Sequence, residues 1–140
     1  VILKKKINLT HAGGRWSTSK FNTFVRNQLR GATWKWPPIS DVMKKARVSH
    51  GVYKCATGHD VPVSIVVDGK RTKNIYVDHI QPIVDPTLGF TNWNDFILRL
   101  YCEIDNLQIL CRECHKKKSD EETLLAKERR KKEKELNEQL

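Results

Sequence analysis

The stretch DNLQILCRECHKKKS, residues 105–119, joins an apolar segment to a cluster of cysteine, histidine and lysine. The segment "NLQILC" predicts a short extended piece, and "RECHKKKS" follows it. Cys111, Cys114 and His115 form a C-x-x-C-H pattern, which is typical of c-type haem attachment, of half a zinc site or of a dithiol redox pair. A fourth interpretation is that His115 holds a catalytic metal beside nucleic acid, because lysines follow it directly.

Composition narrows the class of protein. The chain has 140 residues, enough for one domain, and 26 Lys+Arg against 16 Asp+Glu leave a formal charge of +10. This balance indicates a polyanionic partner such as nucleic acid or an acidic membrane surface. No apolar run reaches the roughly 20 residues of a membrane span, so we expect a soluble, cytoplasmic protein without a membrane role. Four cysteines are too few for a disulfide scaffold.

Residues 1–50 predict a helical extension packed on the core. In "STSKFNTFVRNQLRG", apolar residues recur at helical spacing, with N-cap candidates at Ser17 to Ser19 and a stop at Gly31. In "WKWPPISDVMKKAR", Ser40 is the expected cap of a second, short helix that turns its apolar residues inward. These inward residues are Val42, Met43 and Ala46.

The sequence predicts that residues 51–122 form the core of the protein. "VPVSIVV", the turn Asp68-Gly69 and "KNIYVDHI" form a predicted hairpin that ends in Asp78-His79. Thr91 is the expected cap of a helix with an apolar stripe from Trp93 to Tyr101. Ser119 with Glu122 forms a capping-box signature for a last helix. That helix continues through residues 123–140 as a solvated, charged segment.

Three elements resemble the HNH family of ββα-metal nucleases. They are "YVDHIQPI", "DNLQILC" and "CRECHKKKS", which match the family's D-H-I-x-P, N-L-Q-x-L-C and C-x-x-C-H-x-x-K patterns. Asn106 and His115 stand nine residues apart, as is usual in the family. The flanking "WKWPP" and "FTNWNDFILRLYCE" look like small phage-encoded HNH proteins. The resemblance implies an α+β fold with a ββα-metal core. It also implies a role such as packaging or homing in the cytoplasm of a bacterial host.

The resemblance implies a role for each motif residue. His79 is the expected general base, since an imidazole accepts a proton near neutral pH where Lys or Arg does not. Asp78 and His115 are expected to hold a divalent cation, Mg²⁺ or Mn²⁺, at the scissile phosphate. Asn106 is expected to tether the loop that carries His79. Because neighbouring residues on a strand point to opposite faces, Asp78 and His79 share one site only if the backbone bends between them.

The remaining cysteines raise the question of a structural zinc ion. Tetrahedral Zn²⁺ needs four ligands, and Cys111 and Cys114 supply two of them. Cys55 supplies a third, but Gly58 stands where a second upstream thiolate is usual, so His59 is the expected fourth ligand. The alternative is that the zinc has been lost and the cysteines are small apolar core residues.

Basic residues predict the surface that contacts duplex DNA. The lysines directly after His115 would meet phosphates near the cut, and a second basic face lies toward the N-terminus. The first set is Lys116, Lys117 and Lys118, and the second includes Lys4, Lys5, Lys6, Arg15, Lys20, Arg26 and Arg30. The function that the HNH resemblance implies is metal-dependent hydrolysis of DNA. The rival is a zinc-stabilised, catalytically inactive DNA-binding accessory protein. Two other interpretations are less favoured: a c-type cytochrome would need export and an axial ligand, and a thioredoxin-like redox site would need a βαβ pattern.

Overall fold

The computed structural model describes residues 7–140, so the predicted basic residues Lys4, Lys5 and Lys6 lie outside the described part. Over the described residues the fold is mixed α+β, with four α-helices and several small antiparallel sheets. The chain divides into two compact units, Val1–Thr33 and Trp34–Leu140. None of the helices in residues 7–140 combines the length and apolar character that crossing a membrane requires.

The first unit contains two short strands and a helix: β1 (Leu9–His11), β2 (Trp16–Ser17) and α1 (Thr18–Gly31). The predicted helix and its ends are confirmed, since the Ser17 hydroxyl accepts a hydrogen bond from the Lys20 N–H and the helix ends at Gly31. The turn between the strands brings His11 onto Phe21, with the two rings parallel and 4.3 Å apart.

The second unit contains the remaining elements. Its helices are α2 (Pro37–Ala46), α3 (Trp93–Leu100) and α4 (Arg112–Glu138). Its strands are β3 (Arg47–Ser49), β4 (Val52–Lys54), β5 (Asp60–Pro62), β6 (Ser64–Val67), β7 (Lys70–Lys73), β8 (Ile75–His79) and β9 (Leu107–Cys111). They form the sheets β3-β4-β5, β6-β7 and β8-β9. The boundary between the units thus places α2 with the core elements.

The starts of α2 and α3 differ from the predictions. Helix α2 begins at Pro37, three residues before the predicted cap Ser40, whose hydroxyl instead donates to the Pro37 carbonyl. Proline suits the first helical turn because its φ is already helical and its missing N–H has no partner there. Helix α3 is capped by Asn92 rather than by Thr91, because the Asn92 side chain accepts from the Asp95 N–H.

The predicted hairpin is only partly correct. Asp68 and Gly69 both have positive φ and join β6 to β7, as the sequence predicts. The returning strand, however, breaks at Asn74, and β8 pairs with β9 instead of continuing the hairpin. Asn74 is buried and its side-chain amide donates to the Pro62 carbonyl, so it closes the base of the hairpin.

The last helix begins earlier than predicted. Helix α4 starts at Arg112, and Cys111 is its N-cap because the Cys111 sulfur accepts the Cys114 N–H. The capping box at Ser119 is therefore wrong, since that residue lies inside a continuous helix. Helix α4 packs against both β8 and β9.

The core of the second unit lies where α2 covers the pair β8-β9. Val42, Ile75, Leu107 and Ile109 form one buried cluster, and the predicted inward residues Met43 and Ala46 pack against it. A smaller cluster contains Cys55, Leu110 and Cys111, with Cys114 packed against it. The two clusters place both ends of β9 in apolar surroundings.

Candidate functional site

The register of β8 and β9 sets the positions of the motif residues. Ile75 pairs with Cys111 and His79 with Leu107, and the pairing is continuous between them. Since side chains alternate along a strand, Asp78 lies on the face that α4 covers and His79 on the opposite face. The bend that would turn both side chains to one face does not occur within this ladder.

Asp78 is held by two partners. Its carboxylate accepts a hydrogen bond from the Gln108 amide at 2.8 Å and forms an ion pair with the Lys118 ammonium at 3.0 Å. The same ammonium donates to the backbone carbonyl of His79 at 2.8 Å and pairs with Glu122 at 2.7 Å. Burial lowers the pKa of Lys118, but its hydrogen bonds to Glu122 and Asp78 outweigh that effect, so the pKa is raised. Lys118 is thus the cation that neutralises Asp78 in this structure.

His79 donates Nε2–H to the backbone carbonyl of Leu100, at 2.9 Å. This bond leaves Nδ1 of the neutral ring as the acceptor, because a carbonyl can only accept. Leu100 is the last residue of α3, where carbonyls lack helical partners and the helix dipole is negative. A proton taken up at Nδ1 would therefore produce an imidazolium next to a partial negative charge.

Asn106 fixes the chain immediately after His79. Its side-chain oxygen accepts from the Gln81 N–H at 2.9 Å, and its amide donates to the Gln81 carbonyl at 3.3 Å. The backbone carbonyl of Asn106 accepts from the Ile80 N–H at 2.8 Å. Three hydrogen bonds from one residue thus hold the end of β8.

His115 lies in the first turn of α4 and stacks on Tyr76, with ring centroids 4.5 Å apart and planes 9° from parallel. Tyr76 and Asp78 share one face of β8, and Lys118 follows His115 by about one helical turn. Asp78 and His115 therefore both belong to the interface between β8 and α4. A carboxylate and a neutral imidazole are suitable donors for a divalent cation, although Asp78 would have to exchange its contact with Lys118.

Cys55, His59, Cys111 and Cys114 form a cluster that could hold a metal ion, with ligand atoms all within 4.8 Å of one another. Ligands of a tetrahedral zinc ion lie about 3.5–3.8 Å apart, so a small contraction would complete the site. The loop and the helix start that carry these residues are ordered by backbone hydrogen bonds. The Cys55 N–H donates to the His59 carbonyl at 2.9 Å, and Gly58 adopts φ +107°, which favours glycine. The four residues that the sequence predicts as ligands thus lie together, in a cluster that could hold a metal ion.

Two sulfur atoms of the cluster accept backbone hydrogen bonds, which is how proteins stabilise thiolates. The Cys111 N–H donates to the Cys55 sulfur at 3.3 Å, and the Cys114 N–H to the Cys111 sulfur at 3.5 Å. Burial raises the pKa of the Cys55 thiol, but hydrogen bonds with Thr57 and Cys111 outweigh it, so the pKa is lowered. The pKa of Cys111 is raised, mainly by burial. The surroundings of Cys55 therefore favour the thiolate, and those of Cys111 favour the thiol.

Thr57 contacts this cluster, and the sequence analysis missed it. Its hydroxyl lies 3.0 Å from the Cys55 sulfur, 3.0 Å from Nδ1 of His59 and 3.4 Å from the Cys114 sulfur. The other ring nitrogen of His59 lies 3.3 Å from the Cys111 sulfur. A hydroxyl that bonds to several ligands at once restricts their orientation, as partners outside the ligand shell commonly do. The only hint in the sequence is the position of Thr57 between two expected ligands.

The three predicted phosphate-binding lysines have different surroundings. Lys116 forms an exposed ion pair with Asp120, Lys118 is engaged with Asp78, and Lys117 lines an open cleft of about 610 Å³. The cleft is bounded by Ala56, Thr57, His59, Gln108, Leu110, Cys114, Lys117, Lys118 and Glu121.

Two of the predicted DNA-contacting arginines lie on α1 in the first unit. Arg26 donates to the Thr23 hydroxyl. The pKa of Arg30 is lowered by its burial and by the nearby positive charge of Arg26.

No model of a protein family, no curated protein and no solved structure matches this chain. The assignment of function therefore depends on the residues and their geometry.

Proposed function

We propose that the chain is a metal-dependent endonuclease of the HNH type that hydrolyses phosphodiester bonds of duplex DNA. The observation that carries the proposal is the arrangement of β8, β9 and α4, which is the order of elements in a ββα core. Asp78 and His79 end the first strand, Asn106 immediately precedes the second, and His115 is on the helix. The hydrogen bonds from Asn106 to the chain after His79 match the tethering role that the resemblance implies.

His79 acts as the general base in this proposal. Its Nδ1 takes a proton from the attacking water, while the bond from Nε2–H to Leu100 keeps the ring oriented and stabilises the resulting positive charge. Asp78 and His115 would hold a Mg²⁺ or Mn²⁺ ion. That ion would supply Lewis-acid stabilisation of the leaving oxygen. Since Asp78 and His79 project from opposite faces at the last two positions of β8, the phosphate would approach the end of the strand pair, and Asp78 would exchange its contact with Lys118 for the ion.

The test is cleavage of supercoiled plasmid DNA with Mg²⁺ or Mn²⁺ by the wild type and by His79→Ala. Loss of a general base is expected to reduce the rate by about 10²–10⁴-fold. His50→Ala is the matched control, because His50 is exposed and its ring contacts Arg47 rather than the end of β8. Equal cutting by the His79 and His50 variants, both with wild-type unfolding curves, would reject His79 as the base.

We also propose that Cys55, His59, Cys111 and Cys114 bind a structural Zn²⁺ ion. All four donors are of the types that zinc prefers, and the site links the 55–59 loop to the first turn of α4. Elemental analysis of the full chain should find about one zinc per molecule. Cys55→Ala should lose the metal and Cys102→Ala should keep it, since Cys102 lies outside the cluster. Equal zinc contents in the two variants would contradict this ligand set.

One observation favours the rival function, a zinc-stabilised DNA-binding protein without nuclease activity. Lys118 already neutralises Asp78, and a permanent internal cation would leave no role for a divalent ion there. The rival predicts duplex binding whose affinity is unchanged by Mg²⁺ or Mn²⁺, together with intact plasmid after long incubation. Metal-dependent nicking that His79→Ala abolishes would exclude it.

A further inference from the structure

The hairpin of β6 and β7 is a well-defined two-stranded ribbon. Val66 pairs with Arg71 and Val67 with Lys70, and the connecting residues Asp68 and Gly69 have φ values of 50° and 75°. Positive φ at both positions is the type I′ geometry, whose twist matches that of the strands and keeps the turn tight. The ribbon is therefore a regular hairpin with a tight turn.

Asn74 anchors the base of this ribbon. Its N–H donates to the Val63 carbonyl at 3.0 Å, and its carbonyl accepts from the Arg112 N–H at 2.9 Å. The second bond ties the ribbon to the first residue of α4, which is the helix that carries His115. The direction of the ribbon is thus fixed relative to the proposed site.

The outer face of the ribbon is basic. By strand alternation, Ser64, Val66, Arg71 and Lys73 share one face, and Val66 is 71 % exposed. Lys70 is also exposed, so three cations stand against the single acid Asp68. This face thus presents two cations of β7, Arg71 and Lys73, beside the exposed Val66 of β6.

This face continues to the candidate catalytic residues. The Lys73 ammonium lies 4.7 Å from the ring centroid of Tyr76, and Tyr76 stacks on His115. A polyanion bound at His115 could therefore extend past Lys73 to Arg71, because these side chains follow one another along the same face.

We propose that the β6–β7 ribbon is a DNA-binding arm that lies along the groove of a duplex next to the cut. The major groove of B-DNA admits a two-stranded ribbon, and charge complementarity selects a nucleic acid as the occupant. Arg71 and Lys73 contact phosphates at the groove edge, and Val66 faces the bases. This inference rests on DNA being the substrate of the proposed function, but it does not depend on cleavage.

The experiment measures binding of the zinc-loaded full chain to a fluorescent duplex of about 20 base pairs, without added Mg²⁺ or Mn²⁺, over a range of KCl concentrations. Each phosphate contact adds about 0.9 to the slope of log affinity against log salt. The double variant Arg71→Gln/Lys73→Gln should therefore lower the slope by about 1.8 and weaken binding at 100 mM KCl about tenfold or more.

The matched control removes the same charge elsewhere. Lys127→Gln/Lys131→Gln changes two exposed lysines of α4 and should leave the slope within about 0.3 of the wild type. Equal loss in the ribbon and control variants would overturn the arm, since net charge alone would then explain binding. If the wild type binds and cuts DNA and the ribbon variant retains the full slope, the arm fails while the nuclease proposal stands. If the wild type does not bind duplex DNA, both fail.

Discussion

Lys118→Met provides a direct test of the interface between β8 and α4. The change keeps the aliphatic stem that packs along the helix but removes the ammonium that holds Asp78, Glu122 and the His79 carbonyl. The side chains of Asp78, Lys118 and Glu122 are 11 %, 25 % and 33 % exposed, so the ion pairs are neither fully buried nor free in solvent. Losing one partner of a buried pair costs about 3–5 kcal/mol, and an exposed pair contributes about 0–1 kcal/mol. We expect a loss of about 2–3 kcal/mol in the free energy of unfolding, between these limits.

Lys116→Met is the matched control for this measurement. Lys116 pairs with Asp120 at 2.7 Å on the same helix, but the two side chains are 75 % and 65 % exposed. Its loss should change the free energy of unfolding by less than about 0.5 kcal/mol. Urea unfolding followed by circular dichroism, with unchanged m values, measures both variants without added Mg²⁺ or Mn²⁺.

A double-mutant cycle isolates the pair itself. Asp78→Asn combined with Lys118→Met should show a coupling energy of about 1–2 kcal/mol, because the two side chains contact each other directly. Equal destabilisation by the Lys118 and Lys116 variants, or a coupling energy near zero, would refute the view that this ammonium holds the end of β8 to α4.

Three further predictions concern single side chains. Asn106→Ala should reduce DNA cleavage at least tenfold and destabilise the fold by about 1–3 kcal/mol, measured by plasmid nicking and urea unfolding, because two hydrogen bonds to the chain after His79 are lost. Gly89→Ala should destabilise slightly more than Gly51→Ala, although both have positive φ, because a Cβ at 89 would displace the guanidinium of Arg129, the flexible end of that side chain, whereas a Cβ at 51 would meet no atom within 4 Å; equal melting temperatures would contradict this. Thr57→Val should weaken zinc affinity about tenfold in competition with a chromophoric chelator, and an unchanged affinity would show that its hydroxyl does not orient the ligands.

Local patterns predicted the elements whose signals lie close together in the sequence. The Asp68-Gly69 turn and helix α1 are confirmed because a few neighbouring residues determine each of them. Local patterns did not predict the pairing of β8 with β9, because the paired residues are about 30 positions apart in the sequence; only the resemblance implied a ββα core. The start of α4 was misplaced because a cysteine sulfur caps the helix, whereas capping patterns favour Ser119.

The candidate metal cluster was predictable for a similar reason. Ligand chemistry restricts a zinc site to a few residue types, so Cys55 and His59 could be matched to the C-x-x-C pair before any geometry was known. The internal partner of Asp78 could not be predicted in this way. Lys118 belongs to a run of three lysines that are alike in sequence, and only the packing of α4 distinguishes the one that points inward.

Cys111 connects the two candidate metal sites through the backbone. It is the last residue of β9, the N-cap of α4 and a member of the Cys/His cluster. The next residue, Arg112, donates its N–H to the carbonyl of Asn74, just before β8. The first turn of α4 is thus held by the Cys111 cap and by this hydrogen bond. His115 and Lys118 lie within seven residues of Cys111 on this helix. An ion bound at the Cys/His cluster would fix the position of α4. Because α4 carries His115 and Lys118, the ion would thereby position these two side chains at the end of β8 without contacting that strand.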